Sequence, residues 1–222
     1  LGKRVFFTAF HPERGAEVWT SDGTRKGTKL FKDIWPGPQG SVPFNFARAG
    51  KRVYFWATDG VHGREPWSTN GKRRGTRMVH DVNDGPAESL PVWFTKLGKR
   101  VYFSADDGVH GRELWRTNKA GTAASLFRDL WPGSDSSNPV SLTAFRGHIY
   151  FRGTDGSPSD LELWRTDGTP AGTRLFADLR PGLSSLPSDF KRLGKWLHFS
   201  AIHGTKGREL WRTDGSRKRT KL

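Results

Sequence analysis

Two short turns of this 222-residue chain pair aspartate with histidine three residues on: Asp59 with His62 in "TDGVHG", and Asp107 with His110 in "DDGVHG". Such pairs are metal-ligand material. Each turn, however, supplies two ligand side chains where a protein site ordinarily needs three or four. The Asp-Gly step already explains the turn, so no metal and no cofactor is expected. Trp35 and Trp131 stand in "WPG" segments, with Asn83 and Arg180 at the equivalent places. An accessible indole beside Asp and His suits a sugar ring, whose apolar face stacks while its hydroxyls need paired donors and acceptors. The expected ligand residues are therefore Trp35, Trp131, His62, His110, Asp59 and Asp107. The plainer account packs both tryptophans into grooves of the fold, as most tryptophans are largely buried.

Charge offers a second chemistry. Lys and Arg number 37 against 22 Asp and Glu, a formal net charge of +15. Arg25, Lys26, Lys72, Arg73, Arg74, Arg217, Lys218 and Arg219 lie in turns and form a candidate patch for an anionic partner, with binding that weakens as salt rises. The competing account is a solvated surface that keeps the protein soluble and blunts strand edges. Neither a recognition helix nor a zinc finger is present, so nucleic acid, if bound, would not be read base by base.

No catalytic residue is expected. Glu17, Glu65, Glu113, Glu162 and Glu209 recur in step, which argues for a structural task; pairing with arginines on adjacent strands is the expectation. A catalytic carboxylate pair needs two different environments, which an identical repeat does not supply. The sialidase-type Asp box would need an aromatic residue just after its Thr, and "SDGTRKG" from Ser21 has none. Nucleophile elbow, P-loop and dinucleotide fingerprint are all missing.

These residues fall into step because the chain repeats. Trp19, Trp67, Trp115, Trp164 and Trp211 are spaced by 48, 48, 49 and 47 residues, and "GKRVYF" and "DLWPG" markers keep the same period. The repeats run approximately over 1–37, 38–85, 86–133, 134–182 and 183–222. Each reads as four strands: A after a proline ("PVWFTKL"), B ("KRVYFSA"), C ("RELWRT") and a short D ("TRLF"), with Asp-Gly between C and D as the hairpin signal. Strand B is apolar on both sides of its alternation, so both faces must be covered. Sheets stacked radially achieve this, which predicts an all-β fold, a β-propeller of five four-stranded blades in one domain. Five B–C–D sets meet only four A segments. The first blade is therefore expected to lack its inner strand, or to draw one from a longer array beyond Leu222. A parallel β-helix has shorter rungs and no Asp-Gly hairpins.

Antiparallel order puts the A–B and C–D turns, with the basic residues, at one end of every blade. The B–C and D–A turns, with Trp35, Trp131 and the Asp–His pairs, lie at the other. The charge is heaviest on repeats five, one and two, expected to adjoin in a closed ring.

"ELWRTDGTPAGTRLFADLRPGLSSLPSDF" (162–190) resembles the ELWxxDGT repeat family of bacterial proteins, through all five units. "EVWTSDGT", "EPWSTNGK", "ELWRTNKA" and "ELWRTDGS" depart from that pattern at turns and edges. The resemblance implies a secreted or surface repeat protein with no settled catalytic activity. At the level of fold alone the chain is similar to five-bladed lectin propellers of the tachylectin type.

Composition agrees. Ten Trp, 15 Phe, 27 Gly and 13 Pro suit many short strands joined by tight turns, and no cysteine is available for disulfides or thiolate chemistry. No apolar run is long enough to span a membrane, and no signal peptide opens the chain, so a mature or trimmed piece is expected. The expected function is non-enzymatic binding of carbohydrate or another anionic surface polymer through clefts between blades. A nucleic-acid or protein scaffold using the basic rim is the alternative, and a propeller hydrolase a more distant one. The pattern sets no oligomeric state.

Overall fold

In the computed structural model the described residues, 1–156 and 160–222, are all β apart from two single 3₁₀ turns, Arg73–Gly75 and Arg217–Arg219. They form five antiparallel sheets, one per repeat. The first holds β1 (Val5–His11), β2 (Gly15–Ser21) and β3 (Lys29–Lys32); the second β4 (Phe44–Ala49), β5 (Arg52–Ala57), β6 (Glu65–Thr69) and β7 (Arg77–Met78). The third holds β8 (Val92–Leu97), β9 (Arg100–Asp106), β10 (Arg112–Thr117) and β11 (Ala124–Arg128). The fourth holds β12 (Val140–Phe145), β13 (His148–Gly153), β14 (Glu162–Thr166) and β15 (Arg174–Ala177); the fifth β16 (Ser188–Leu193), β17 (Trp196–His203) and β18 (Gly207–Thr213).

Neighbours in sequence are neighbours in the sheet throughout, as hairpin connections dictate. The expected four strands form in the three middle sheets, and the first is short of its inner strand as expected; the fifth departs from the expectation. The first lacks strand A, and in the fifth strand D shrinks to one bridge, Arg212 with Lys221.

Alternation along each strand explains why the repeat is apolar on both sides. Tyr102 and Phe103 point to opposite faces of the third sheet, as do Leu114 and Trp115. Tyr102 and Leu114 pack forward against Leu142, Ile149, Phe151 and Trp164 of the fourth sheet. Phe103 and Trp115 pack backward against Tyr54, Val79 and Val82 of the second. The same exchange joins the first sheet to the second and the fourth to the fifth. Four seams therefore use equivalent residues, while the fifth sheet shares no comparable packing with the first among the described residues.

Four of the five recurrent glutamates, Glu17, Glu65, Glu113 and Glu162, hold a loop instead of an arginine. Glu17 accepts the backbone N–H groups of Ile34 (2.9 Å), Trp35 (3.1 Å) and Ser41 (2.9 Å), and the Ser41 hydroxyl at 2.6 Å. Glu65, Glu113 and Glu162 do the same for Val82 and Ser89, Leu130 and Ser137, and Leu179 and Ser185. The correction has a plain cause: the D–A loop exposes backbone donors that a buried carboxylate must satisfy. Burial pushes Glu65 and Glu113 up to about 7, against the lowering effect of those donors.

The loop then enters strand A through a left-handed residue just before proline. Val42 (φ 46°) donates its N–H to Ala16 at 2.9 Å, and Leu90 (φ 45°) to Arg64 at 3.1 Å. A β-branched residue there is strained, and the pinned loop over-determines it.

Candidate binding clefts

At the B–C end, sheet order brings the D–A loop of one repeat beside the B–C turn of the next. Trp35, following β3, thereby lies on the turn after β5. Gly60 makes this approach feasible: a Cβ there would stand 2.4 Å from the indole, and its φ of +86° is a glycine conformation. Trp35, Gln39, Thr58, His62, Arg64 and Glu88 line a cleft of ≈ 320 Å³ between the first and second sheets.

Within it, His62 Nδ1 is 2.9 Å from Asp59 Oδ2, and Asp59 Oδ1 also accepts the His62 backbone N–H at 2.9 Å. His62 Nε2 lies 3.8 Å from Asp81. The bond to Asp59 raises the His62 pKa despite some desolvation. Burial alone would raise Asp59, but the donors from His62 and Val61 outweigh it and hold the carboxyl below its usual value. His110 and Asp107 repeat the arrangement at 2.7 Å, with the same two directions of shift.

The six expected ligand residues are not all gathered. Trp35, Asp59 and His62 meet at the first seam. At the second, His110 and Asp107 belong to a turn whose Gly108 approaches Asn83, so no indole stands over them. Trp131 reaches forward to Gly156 of the fourth sheet, where a Cβ would sit 3.6 Å from its ring. Both tryptophans are half-buried, so the packing account explains part of each ring's environment.

The opposite end is basic, as sorted from the repeat, and Arg73 and Arg74 line, with Arg14, Lys32 and Asp33, a cleft of ≈ 510 Å³ between the first and second sheets. Arg25, Lys26, Lys72, Arg73, Arg74, Arg217, Lys218 and Arg219 are all exposed. Arg73 donates to the Leu30 carbonyl at 3.2 Å and Arg217 to Leu175 at 2.9 Å, so each ties its turn to the previous sheet's outer strand. Arg219 pairs with Asp214 at 3.2 Å. The expected arc over repeats five, one and two is not joined, because among the described residues the fifth sheet shares no comparable packing with the first.

A further basic cleft lies between the second and third sheets. Lys51, Arg52, Lys96, Lys99, Arg100 and Lys119 line a cleft of ≈ 340 Å³ with no carboxylate on its wall. A second cleft of ≈ 450 Å³, between the third and fourth sheets, shares Lys99, Arg100 and Lys119 with it and adds Asp167. Arg52 is held by Ser68 and the Gly75 carbonyl, and Arg100 by the Thr117 carbonyl at 2.9 Å. The stem of Lys96 lies across Gly50. Among the described residues none of the four lysines makes an ion pair. Lys96, at the end of strand A, and Lys119, in the irregular turn "TNKAG", went unnoticed in the sequence. Only their phase relative to Lys51 and Lys99 could have signalled them.

Neither a protein-family model nor a curated protein sequence matches the chain. Solved structures do. A prolyl endopeptidase matches at TM-score 0.62 and 15% identity, over 99% of this chain and 32% of its own. Puromycin hydrolase matches at TM-score 0.60 and 13% identity, over 99% and 35%. A GH74 xyloglucanase from Xanthomonas campestris matches at 0.56 and 15%, over 97% and 36%. The chain thus spans about a third of each, and at these identities the likeness is one of fold: the protein has a propeller-like all-β fold. No helix among the described residues is long and apolar enough to cross a membrane.

Proposed function

We propose that this is a non-enzymatic binding protein of the secreted or surface type, whose sheets are propeller blades and whose clefts hold an acidic polysaccharide. The resemblance to ELWxxDGT repeats supports the class and the location. One observation carries the ligand: six basic side chains around a cleft without a carboxylate, continuous with a second through Lys99, Arg100 and Lys119. Four lysines without an ion-pair partner among the described residues concentrate positive charge there, and a polymer bearing sulfate or uronate groups supplies the opposite charge. Clefts repeated along the stack suit a repeating ligand, since weak sites gain through avidity.

The test is a heparin titration at several salt concentrations, with polygalacturonate and single-stranded nucleic acid alongside. Affinity should fall steeply with salt. Replacing Lys99 and Lys119 together by alanine should weaken heparin about tenfold, taking each lost surface contact at somewhat under 1 kcal/mol. The pair Arg25→Ala with Lys26→Ala should do less. Salt-independent binding would overturn the reading, and a preference for nucleic acid would replace it with the scaffold alternative.

A second reading, stacking of a neutral sugar, rests on Trp35 and His62 sharing one cleft. Here Trp35→Ala should abolish neutral oligosaccharide binding and leave heparin untouched.

A further inference from the structure

The third repeat has moved a charge. At one register position strand D carries Lys29, Arg77, Arg174 or Lys221, opposite Thr20, Ser68, Arg165 and Arg212 of strand C; in the third repeat the residue opposite Arg116 is Ser125. Six residues earlier, in the C–D turn, the other repeats hold Gly23, Gly71, Gly168 and Gly215, and the third holds Lys119. The backbone of that turn differs as well. The second and fifth repeats close it with a 3₁₀ turn whose arginine bonds the preceding sheet's strand D, Arg73 to Leu30 and Arg217 to Leu175. In the third the hairpin is tighter: Asn118 donates its N–H to the Ala123 carbonyl at 2.9 Å. Gly121, at the place of Arg73, has a φ of +69° and lies on the Tyr54 hydroxyl, which a Cβ there would overlap. The turn is thereby drawn in over the second seam, and Lys119 lines the clefts on both sides of the third sheet. The A–B arginines follow the same division. At the first and fourth seams Arg4 reaches across to the Gly71 carbonyl (3.0 Å) and Arg146 to that of Asp214 (2.9 Å). At the second and third seams Arg52 and Arg100 donate within their own sheets instead.

We propose that a single linear polyanion crosses the basic end of the third sheet from one of these clefts to the other, with Lys119 as the residue that joins them. This rests on the acidic-polysaccharide reading and adds to it the track of the chain and the side chain that sets it. Lys99 and Arg100 also border both clefts, whereas Lys51 and Lys96 belong to the first alone and Asp167 to the second alone. A chain confined to one cleft meets Lys51 or Asp167; a chain that crosses meets both, and the two weak sites reinforce each other.

The test titrates a heparin dodecasaccharide at fixed low salt into the wild type and its variants. Lys119→Gly combined with Ser125→Lys gives the third repeat the residue types of the others at both positions and leaves the net charge at +15. Affinity should fall about fourfold, the equivalent of one surface contact. Lys119→Ala alone, at an exposed position, should give a loss of the same size and guards against misfolding of the pair. Lys51→Ala should weaken binding about threefold, and Asp167→Asn should strengthen it about threefold. Asparagine suits that turn, since the second and third repeats carry Asn70 and Asn118 there. Indifference to the relocated charge would overturn the proposal, because total charge alone would then govern binding. Indifference to Lys51→Ala or to Asp167→Asn would overturn it too, because the chain would then occupy one cleft. A wild type that binds no heparin at all would instead remove the polysaccharide reading beneath it.

Discussion

The third and fifth sheets carry the same words, "RELWRT" at Arg112–Thr117 and again at Arg208–Thr213, in the same register against strand B. Their surroundings differ. Leu114 is 0% exposed and Leu210 is 67% exposed. Glu113 is buried on three donors from the following loop, while Glu209 is half-buried and, among the described residues, holds no such loop. The sequence of a repeat decides its strands and its pairing. Whether those strands form a core depends on the repeat beside it, as for any stacked array in which stability divides into unit and neighbour terms.

The most forceful way to break this comparison is to truncate the same leucine twice. Leu114→Ala should cost about 2–5 kcal/mol through lost burial and an unfilled cavity. Leu210→Ala, at an exposed position, should change stability by about 0.5 kcal/mol or less. Urea unfolding followed by tryptophan fluorescence would decide, with equal losses counting against the account.

Next in size is the carboxylate pin. Glu113→Ala leaves the Leu130 and Ser137 donors unpaired and should cost about 1–3 kcal/mol, while Glu209→Ala should cost little. The pin also carries a pH signature. Glu65 and Glu113 are raised to about 7, so the folded protein holds more protons than the unfolded chain between about 4.5 and 7. Their contribution is complete below pH 4.5 and is lost as pH rises through 7. Melting temperature should accordingly fall across that window. Glu113→Gln, which cannot titrate, should flatten the fall; an unchanged slope would remove Glu113 as its source.

The comparison also explains what could be read before any coordinates. The period of the tryptophans and the Asp-Gly hairpins make the five sheets and their pairing legible, because strand alternation and turn chemistry are local. Trp35 meeting His62 followed from phase: a D–A loop and the next B–C turn share an end. That Trp131 does not meet His110 depends on which loop crosses which seam, and strand signals alone leave that choice open. The glutamates misled because a carboxylate's partner here is a backbone N–H, which leaves no mark in a list of side chains. The basic cleft was missed for a related reason. Lys96 and Lys119 are unremarkable where they stand, and only the approach of neighbouring sheets sets them beside Lys51 and Lys99.

Hydrogen exchange, residue by residue, puts the dependence on neighbours to its most direct test. Amides of β9 and β10, covered on both faces, should exchange slowest; those of β17 and β18 should exchange sooner, although the two "RELWRT" strands are identical in sequence. Equal protection of β10 and β18 would contradict the account, because strand stability would then reside in the repeat itself and owe nothing to the sheet next to it.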